Sequence, residues 1–537
     1  MKLLTELKVK LGYKKSDIFL AIKRKYGIFE NEIKEFEIVK ESLDARKKPN
    51  VFVVLSVAVA LENSALKKAK TFKDIVVDHK GIEPEKIDIE CDRPIVVGFG
   101  PSGMFAGLHL ALAGLRPIIL EQGKNVDERQ KDVDEFWKSR ILNKFSNIQF
   151  GEGGAGTFSD GKLASNVSNS YTKKCINEFV LAGAPAEIFY SYTPHIGSDK
   201  LKQIVKNIRE KIVSNGGDVL FNMHFDSFET INGKISKVFA TNVESGKKEI
   251  FKTSALILAV GHSALDTYKL LKSENVPMKQ KPFAMGVRIE QSQADINFAQ
   301  YGMNEKSLPS ANYKLVEHLS NGRSVFTFCM CPGGTVVASS SEEETVVTNG
   351  MSKYARDGEN ANSAVLVNVT PEDFKSDDVL AGAEFQRKYE KLAFELGGRN
   401  YNAPAERVKD FLNGETDFEN LRNDAKVKPT YLPGIKLADL SKCLPDFVTE
   451  SLKMALPKFN LKVKGFADDD NLLIGVESRS SAPVQIERDE NLMTSVKGLF
   501  VAGEGAGFAG GITSSAADGV KCGEAVVNFL QSQKSCT

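Results

Sequence analysis

A glycine-rich hexapeptide between an apolar run and a helical run constrains this chain more than any other feature. Gly98-Phe99-Gly100-Pro101-Ser102-Gly103 follows the apolar stretch 94–98 and opens the helical pattern 102–113. There, the first glycine permits a tight turn, the second lets backbone N–H groups approach a pyrophosphate, and the third lets helix and strand pack closely. The segment predicts the opening of a dinucleotide-binding fold, with cofactor contacts at Gly98, Gly100, Pro101, Ser102 and Gly103.

The second predicted strand, 116–121, ends in Glu121-Gln122. An acid at this place, about twenty residues after the glycine turn, accepts hydrogen bonds from adenosine ribose and disfavours a 2′-phosphate. We expect Glu121 to bind both ribose hydroxyls and Gln122 to border the cofactor. Arg129, which follows this strand, is expected to reach the phosphates.

Two glycine-rich stretches farther along the chain favour a flavin dinucleotide. In residues 151–163, the central Gly154-Ala155-Gly156 offers a backbone that can press against a flat ring. Strand 255–260, which ends in Gly261-His262, resembles the strand that shields the dinucleotide in FAD folds. These elements predict that the cofactor has a flavin half as well as an adenosine half.

The last part of the chain repeats the strand-turn-helix pattern. An apolar strand ends in Gly503-Glu504, and Gly510-Gly511-Ile512 precedes a helical run, 513–530. Glu504 can accept hydrogen bonds from ribityl hydroxyls, and the positive end of the following helix can stabilise negative charge on a reduced flavin. A nicotinamide dehydrogenase needs only the first turn, so the two distant turns favour FAD.

The length of 537 residues exceeds what one hydrophobic core supports, so several domains are expected. The pattern predicts an α/β protein with a discontinuous Rossmann-type FAD-binding domain, an inserted mixed α+β substrate domain and a small N-terminal α+β domain. The expected segments are 1–90 for the N-terminal domain, 91–281 and 466–537 for the FAD-binding domain, and 282–465 for the insert.

Charge and composition limit the classes of molecule that this protein is expected to bind. A net charge of +1 gives no global field that would gather nucleic acid or anionic membrane, which favours a small-molecule substrate. The longest apolar run, 51–61, is too short for a membrane helix, and the first residues lack the apolar core of a secretory signal. Seven cysteines without a Cys-x-x-Cys indicate a reducing compartment, and we expect a cytoplasmic protein without a metal site.

Several longer segments carry a family resemblance: FGEGGAGTFSDGKL at 150–163, HIGSDKL at 195–201, CMCPGG at 329–334, GVESRSSAP at 475–483 and the stretch 503–519. With them the chain resembles a glutathione-reductase-type FAD fold and, more closely, the bacterial FAD-dependent, or NAD-utilising, dehydrogenases. The resemblance implies bound FAD and a dehydrogenase-type reaction, with no firm substrate. The other G-x-G-x-x-G matches, at 151–156 and 505–510, lie in the stretches assigned to the flavin. No such motif is left for a resident NAD(P), so NAD(P)H would bind only transiently, over the flavin.

Candidates for catalysis are fewer. His195 precedes a helix and His262 adjoins the strand expected at the flavin, so either is a candidate acid or base, with a structural role as the alternative. Arg288, Arg323 and Arg479 could bind an anionic substrate, although structural pairing is the more common use of such arginines.

Cys329 and Cys331 form a Cys-x-Cys before Pro-Gly-Gly. In a regular strand their side chains would share one face, where the pair could pass electrons between a flavin and a thiol or disulfide. The alternative, which we favour, is that two small side chains pack beneath a turn.

Two other functions remain open from the sequence. The basic turn Arg46-Lys47-Lys48 would suit a flavoenzyme that modifies nucleic acid, although solvated hairpin charges explain it as well. A non-enzymatic flavin redox sensor or scaffold would carry the same cofactor motifs. The leading prediction is an FAD-dependent oxidoreductase that acts on a small molecule and exchanges electrons with NAD(P)H.

Overall fold

The computed structural model of the protein describes residues 1–164, 169–305, 307–414 and 426–534. A five-stranded parallel sheet and a seven-stranded mixed sheet form its two large units, and the N-terminal residues add a three-stranded antiparallel sheet. Each of these sheets packs against its own buried apolar cluster. The architecture is mixed α/β.

The N-terminal unit pairs its strands in the order β1–β3–β2 and covers one face with a helix. Its elements are β1 (Lys2–Val9), α1 (Lys15–Tyr26), β2 (Ile33–Lys47), β3 (Asn50–Leu61) and α2 (Asn63–Leu66). Leu4, Leu7 and Val9 of the first strand bury against the helix, and a bulge lies between Leu4 and Leu7. The basic turn lies at the tip of the β2–β3 hairpin, as expected.

The parallel sheet has the strand order β22–β10–β4–β5–β6. The elements of its first part are β4 (Ile95–Val97), α3 (Pro101–Leu112), β5 (Ile118–Leu120), α4 (Val126–Ser139), α5 (Ser170–Leu181), α6 (Ser198–Ser214), β6 (Asp218–Leu220), the meander β7 (Met223–Ile231), β8 (Lys234–Asn242) and β9 (Lys248–Lys252), then β10 (Leu256–Leu258) and α7 (Leu265–Ser273). Helix α6 ends shortly before Gly216, which has a left-handed φ of 86°.

The middle of the chain forms the seven-stranded sheet, in the order β13–β14–β17–β12–β20–β18–β19. The elements are β11 (Met278–Gln280), β12 (Phe283–Ser292), α8 (Gln293–Tyr301), β13 (Val316–His318), β14 (Ser324–Cys331), β15 (Thr335–Ala338), β16 (Thr348–Met351), β17 (Asn360–Val369), α9 (Pro371–Phe374), α10 (Ala381–Leu396), β18 (Ala403–Arg407), α11 (Val408–Asn413), β19 (Ile435–Leu437), α12 (Asp446–Lys462) and β20 (Leu472–Glu477). Helix α12 packs against β12, β14 and β17.

The chain then returns to the parallel sheet through β21 (Val484–Ile486), β22 (Leu499–Val501) and α13 (Ile512–Lys534). The expected boundary at residue 465 needs correction, because β20 pairs with β12 and β18 inside the seven-stranded sheet. Its six residues are buried, which shows that the insert continues to about the end of this strand.

The packing of the outermost helices closes the parallel sheet. Helix α13 lies on α3 and α5, and α3 also contacts α6, so that every side chain of α3 from Ser102 to Ala111 is buried. The polar segment 78–92 has no helix or strand but is held in place: the Asn177 side-chain amide donates to the carbonyls of Asp78 and Lys80. The N-terminal unit is therefore joined to the sheet by a packed connection.

The carboxyl ends of β4, β10 and β22 lie together at one edge of the parallel sheet, because the three strands are adjacent and run in the same direction. In open α/β sheets ligands bind outside this edge. The glycine turns that follow β4 and β22 are therefore side by side, although some four hundred residues separate them in the sequence.

Candidate functional site

A cavity of about 540 Å³ opens between this sheet edge and the seven-stranded sheet. One side, which we call the dinucleotide wall, is formed by residues 98–102, 154–156, 259–261 and 510–512. The other side, the cap wall, is formed by residues 312–314, 327–332 and 349–350 of the insert. No residue of the N-terminal unit lines it within the described part of the chain.

The turn after β4 requires its glycines. Gly98 has a φ of 95°, and a Cβ atom on Gly103 would lie 1.9 Å from the Gly98 carbonyl oxygen, so helix α3 begins directly against the turn. Gly100 has open space toward the cavity, since the nearest atom to a Cβ there is 3.6 Å away. The Oγ atom of Ser102 is buried, lines the cavity and has no hydrogen-bond partner in the described protein. With the free N–H groups of the first helical turn, it fits a pyrophosphate.

Glu121 lines the cavity at the end of β5, but its carboxylate is already engaged. The backbone N–H of Phe99 donates to Oε2 at 2.8 Å, and the N–H groups of Gly123 and Gly151 donate to Oε1 at 2.9 and 3.0 Å. A carboxylate offers about four acceptor positions, so one remains. Glu121 therefore has room for one ribose hydroxyl, fewer than the two expected, because it also ties three backbone segments together.

The loop after α4 and the start of α13 complete the dinucleotide wall. Gly154 is so close to the first turn that a Cβ atom on it would lie 2.9 Å from the Gly100 Cα atom. On the opposite side, Gly510 and Gly511 have no atom within 4 Å of a Cβ position, so the N-terminus of α13 opens onto the cavity. Glu504 lines the cavity beside them. These donors and carboxylates fit the charge pattern of an adenosine–pyrophosphate–flavin molecule.

Most of the predicted cofactor residues meet at this cavity: Gly98, Gly100, Pro101, Ser102, Glu121, Gly154, Ala155, Gly156, Gly261, Glu504, Gly510, Gly511 and Ile512. Gly103 and Gly503 lie behind it, where Gly503 donates its N–H to the Asp518 carboxylate at 2.7 Å. Gln122 does not line it.

Arg129 is a correction to the sequence prediction. Its side chain is fully buried, and its guanidinium donates to the carbonyl oxygens of Asn147, Ile148 and Glu152 at 2.6–2.8 Å. All three acceptors belong to the loop that leads into the glycine-rich stretch. Arg129 thus fixes the shape of this loop and has no route to the cofactor phosphates.

The two histidines occupy different places. His262 lines the cavity, and its Nε2 lies 3.0 Å from the Arg479 carbonyl oxygen. His195 does not line it: its Nε2 lies 3.0 Å from the Tyr354 carbonyl oxygen, and its ring stacks on that tyrosine. Burial, followed by the nearby Arg356, lowers the pKa of His195 and keeps it neutral. Of the two, only His262 retains access for acid–base chemistry.

Cys329 and Cys331 both line the cavity, but not as a regular strand would place them. A bulge interrupts the β14–β17 pairing between Phe328 and Cys331, and Cys329 has a left-handed φ of 43°. As a result the Cys329 side chain is open to the cavity, whereas Cys331 is buried and donates its S–H to the Cys329 carbonyl at 3.2 Å. The expectation of a shared face was wrong because it assumed an unbroken ladder.

Both thiols have raised pKa values. The surrounding protein desolvates Cys329 and raises its pKa to about 11, and burial likewise raises the pKa of Cys331. A thiolate is the reactive form of cysteine, so neutral thiols at this place are poor nucleophiles. This supports packing over electron transfer as their role.

Three buried ion pairs surround the cap wall, and their carboxylate partners were not among the residues predicted from the sequence. Arg288 binds Glu477 through two hydrogen bonds of 2.5 and 2.7 Å, and Arg479 binds Glu390 through two of 2.8 and 2.9 Å. The third pair joins Arg356 to Asp160, at 2.5 and 2.8 Å. Arg323, the remaining arginine candidate, pairs with Asp373 away from the cavity. All four arginines are thus engaged in ion pairs that hold the structure together.

Comparison with known proteins places the chain in a family. Residues 282–480 match a family model described as FAD-dependent protein, C-terminal domain-like, and residues 1–60 match a domain of unknown function. A protein of Clostridium beijerinckii, described as uncharacterized, is 46% identical over 514 residues, which cover 94% of each chain. The matched model describes the C-terminal domain of FAD-dependent proteins, and it covers most of the seven-stranded sheet. The chain belongs to the same family as this clostridial protein.

Two solved flavoproteins are distant matches. The glycerol-3-phosphate dehydrogenase of Bacillus halodurans, complexed with FAD, is 12% identical, with 84% of this chain and 66% of that chain covered and a TM-score of 0.37. A flavoprotein/dehydrogenase of Cytophaga hutchinsonii is 10% identical, with 82% and 79% covered and a TM-score of 0.38. Neither match is close enough to transfer a substrate.

The described residues also include no helix long and apolar enough to cross a membrane. Nor do the described ranges contain a group of three or more His, Cys, Asp or Glu side chains arranged to hold a metal ion.

Proposed function

We propose that the protein holds FAD along the dinucleotide wall and catalyses an oxidoreductase reaction on a small organic molecule, with NAD(P)H as a transient second substrate. One observation carries this proposal. Glycine-rich segments from four separate parts of the chain line a single cavity, together with the carboxylates of Glu121 and Glu504. Flavin dinucleotides need both a close-approach backbone for the pyrophosphate and polar anchors for the two sugar-like chains.

Each part of the wall has a proposed task. The first turn of α3 and the Ser102 hydroxyl hold the pyrophosphate, and Glu121 accepts one ribose hydroxyl. Glu504 orients the ribityl chain, and the N-terminus of α13 provides positive potential at the flavin end. FAD, when bound, supplies a two-electron acceptor and donor that exchanges a hydride with an organic substrate.

The cap wall provides the place for that substrate. Thr327, Phe328 and Met330 give it an apolar surface, and Asn312 and Asn349 add neutral hydrogen-bonding groups. A mostly apolar lining with few polar groups is typical of small-molecule sites, and it keeps water from the reacting atoms. His262 is the proposed proton donor or acceptor, because it lines the cavity where the dinucleotide wall adjoins the insert.

The cofactor part of the proposal can be tested on the purified protein. We expect the absorbance spectrum of a flavin, and we expect Gly100→Val to lose it, because the larger side chain enters the pyrophosphate position. Gly100→Ala is the matched control, since its Cβ atom keeps a 3.6 Å distance to the protein. Unfolding curves of both apo-proteins report whether the fold is intact. A folded Gly100→Val variant with full flavin content would overturn the assignment.

The nicotinamide part needs its own measurement. Under anaerobic conditions, NADH or NADPH should bleach the flavin absorbance, and the faster of the two identifies the physiological donor. If neither nucleotide reduces a fully loaded protein, electrons must come from another donor and this part of the proposal fails.

A further inference from the structure

A charged cluster lies inside the cavity, where the glycine-rich loop meets the insert. The Arg356 guanidinium binds both carboxylate oxygens of Asp160, and the Lys162 ammonium lies 3.2 Å from Asp160 Oδ2. All three residues line the cavity. The cluster therefore contains two cations and one carboxylate, which leaves a net charge of +1.

The excess charge lies on Lys162. Asp160 is 2% and Arg356 is 8% exposed, and Arg356 already occupies Asp160 with two hydrogen bonds. Lys162 shares that carboxylate with the arginine and is open to the cavity, with 36% of its side chain exposed. An unbalanced charge in a protein interior is unfavourable unless a counter-charge is present. An anion entering the cavity would supply it.

The neighbouring described residues do not neutralise the excess positive charge of the cluster. Arg288 and Arg479 are matched by Glu477 and Glu390, so those pairs are neutral. His195, next to the cluster, is neutral because burial lowers its pKa. On the cap wall, Lys314 adds a further exposed cation.

The ammonium is held in position and stays charged. The chain at Lys162 forms a β-bridge with His195, and the next residue, Leu163, donates its N–H to the Pro194 carbonyl. Burial alone would lower the pKa of Lys162, but the Asp160 carboxylate beside it opposes this effect and keeps the ammonium charged. Lys162 is therefore a fixed positive charge facing the cavity.

We propose that Lys162 binds the carboxylate of a monoanionic organic substrate, while the apolar body of that substrate lies against Phe328 and Met330. This inference rests on the proposed function and names its substrate class. A carboxylate matches the one positive charge that the cluster leaves over, since Asp160 and Arg356 already balance each other. The side-chain amides of Asn312 and Asn349, which also line the cavity, can form hydrogen bonds with neutral polar groups of such a molecule.

The test uses two matched pairs of probes, propionate with propionamide and benzoate with benzamide. The two members of each pair have nearly the same shape, but one is an anion and the other is neutral. Binding is measured by equilibrium dialysis with the purified protein and, where flavin is present, by the change in its absorbance. We expect the carboxylates to bind and the amides not to bind. Lys162→Met should weaken carboxylate binding at least tenfold, Lys162→Arg should retain most of it, and the exposed-lysine control Lys252→Met should leave it unchanged.

Flavin content is measured in every sample first, which separates this inference from the proposed function. Protein without FAD would overturn the proposed function, whereas dialysis of the same sample would still decide carboxylate binding. If Lys162→Met leaves carboxylate binding intact and changes only the flavin reduction potential, the ammonium serves the reduced flavin and the inference is overturned. Equal binding of carboxylates and amides, or stronger binding of inorganic phosphate, would overturn it as well.

Discussion

The dinucleotide wall and the cap wall face the same cavity but differ in which parts of the residues, backbone or side chains, form them. The dinucleotide wall is mostly backbone: Gly98, Gly100 and Gly154 expose main-chain groups, and even the Glu121 carboxylate is held by three backbone N–H groups. The cap wall depends on side chains, through pairs such as Arg288–Glu477. A backbone wall is encoded in short local motifs, whereas a side-chain wall depends on contacts between distant segments.

This difference predicts that single substitutions around the cap wall lower the stability of the protein more than single substitutions in the dinucleotide wall do. Arg288→Met should lower the free energy of unfolding by about 3–5 kcal/mol, because the Glu477 carboxyl group, whose pKa burial already raises, would be left buried without its partner. Urea unfolding of the apo-protein measures this. The double variant Arg288→Met, Glu477→Met should recover much of the loss, since no lone charge is left. Equal destabilisation of the single and double variants would argue against the pair as the cause.

Glu406 sharpens the comparison, because it is a buried carboxylate in the seven-stranded sheet, and no cation of the described residues forms an ion pair with it. It is 2% exposed and accepts a backbone hydrogen bond from Leu440, and burial raises its pKa to about 7. The folded protein therefore holds this proton more tightly than the unfolded chain, so stability falls as pH rises from about 4.5 through 7.

Replacement of this carboxylate gives a pH-dependent effect. Glu406→Gln should stabilise the protein by about 2–3 kcal/mol at pH 8 and have little effect near pH 4, because the amide keeps the acceptor and removes the charge. Unfolding curves at both pH values check it. A difference between variant and wild type that is independent of pH would contradict the raised pKa.

On the dinucleotide wall, we expect a binding effect without a stability effect. Glu504→Ala should weaken FAD binding by about 1.5–3 kcal/mol, the value of a charge-assisted hydrogen bond. Fluorescence titration of the apo-protein with FAD measures it, and the unfolding midpoint of the apo-protein should not change. Unchanged FAD affinity and unchanged reduction potential would remove Glu504 from the cofactor site.

The smallest effect is expected at the cysteines of the cap wall. Cys329→Ser with Cys331→Ser should retain FAD and its reduction by NAD(P)H, because both thiols are neutral. Anaerobic reductive titration decides the matter. If the wild type takes up two more electrons per flavin than the double variant, the pair is redox-active and the structural interpretation is wrong.

The sequence predicted the backbone wall well, because its signals are local. The glycine turn of 98–103 was placed from neighbouring residues alone. The charged groups around the cavity were missed for the opposite reason. Lys162 lies inside a segment singled out for its glycines, but its importance depends on Arg356, almost two hundred residues away. The bulge that separates Cys329 from Cys331 likewise arises from pairing with β17 and has no local sequence signal.

The position of α13 on α3 has a consequence for the order of events during synthesis. Helix α3 leaves the ribosome long before α13, the helix that covers it. Until α13 is made, the apolar side of α3 lacks this cover, and the cavity lacks Gly510–Ile512. We therefore expect the cavity to be complete only after α13 has been synthesised and has packed on α3, with the apolar side of α3 exposed to other chains until then.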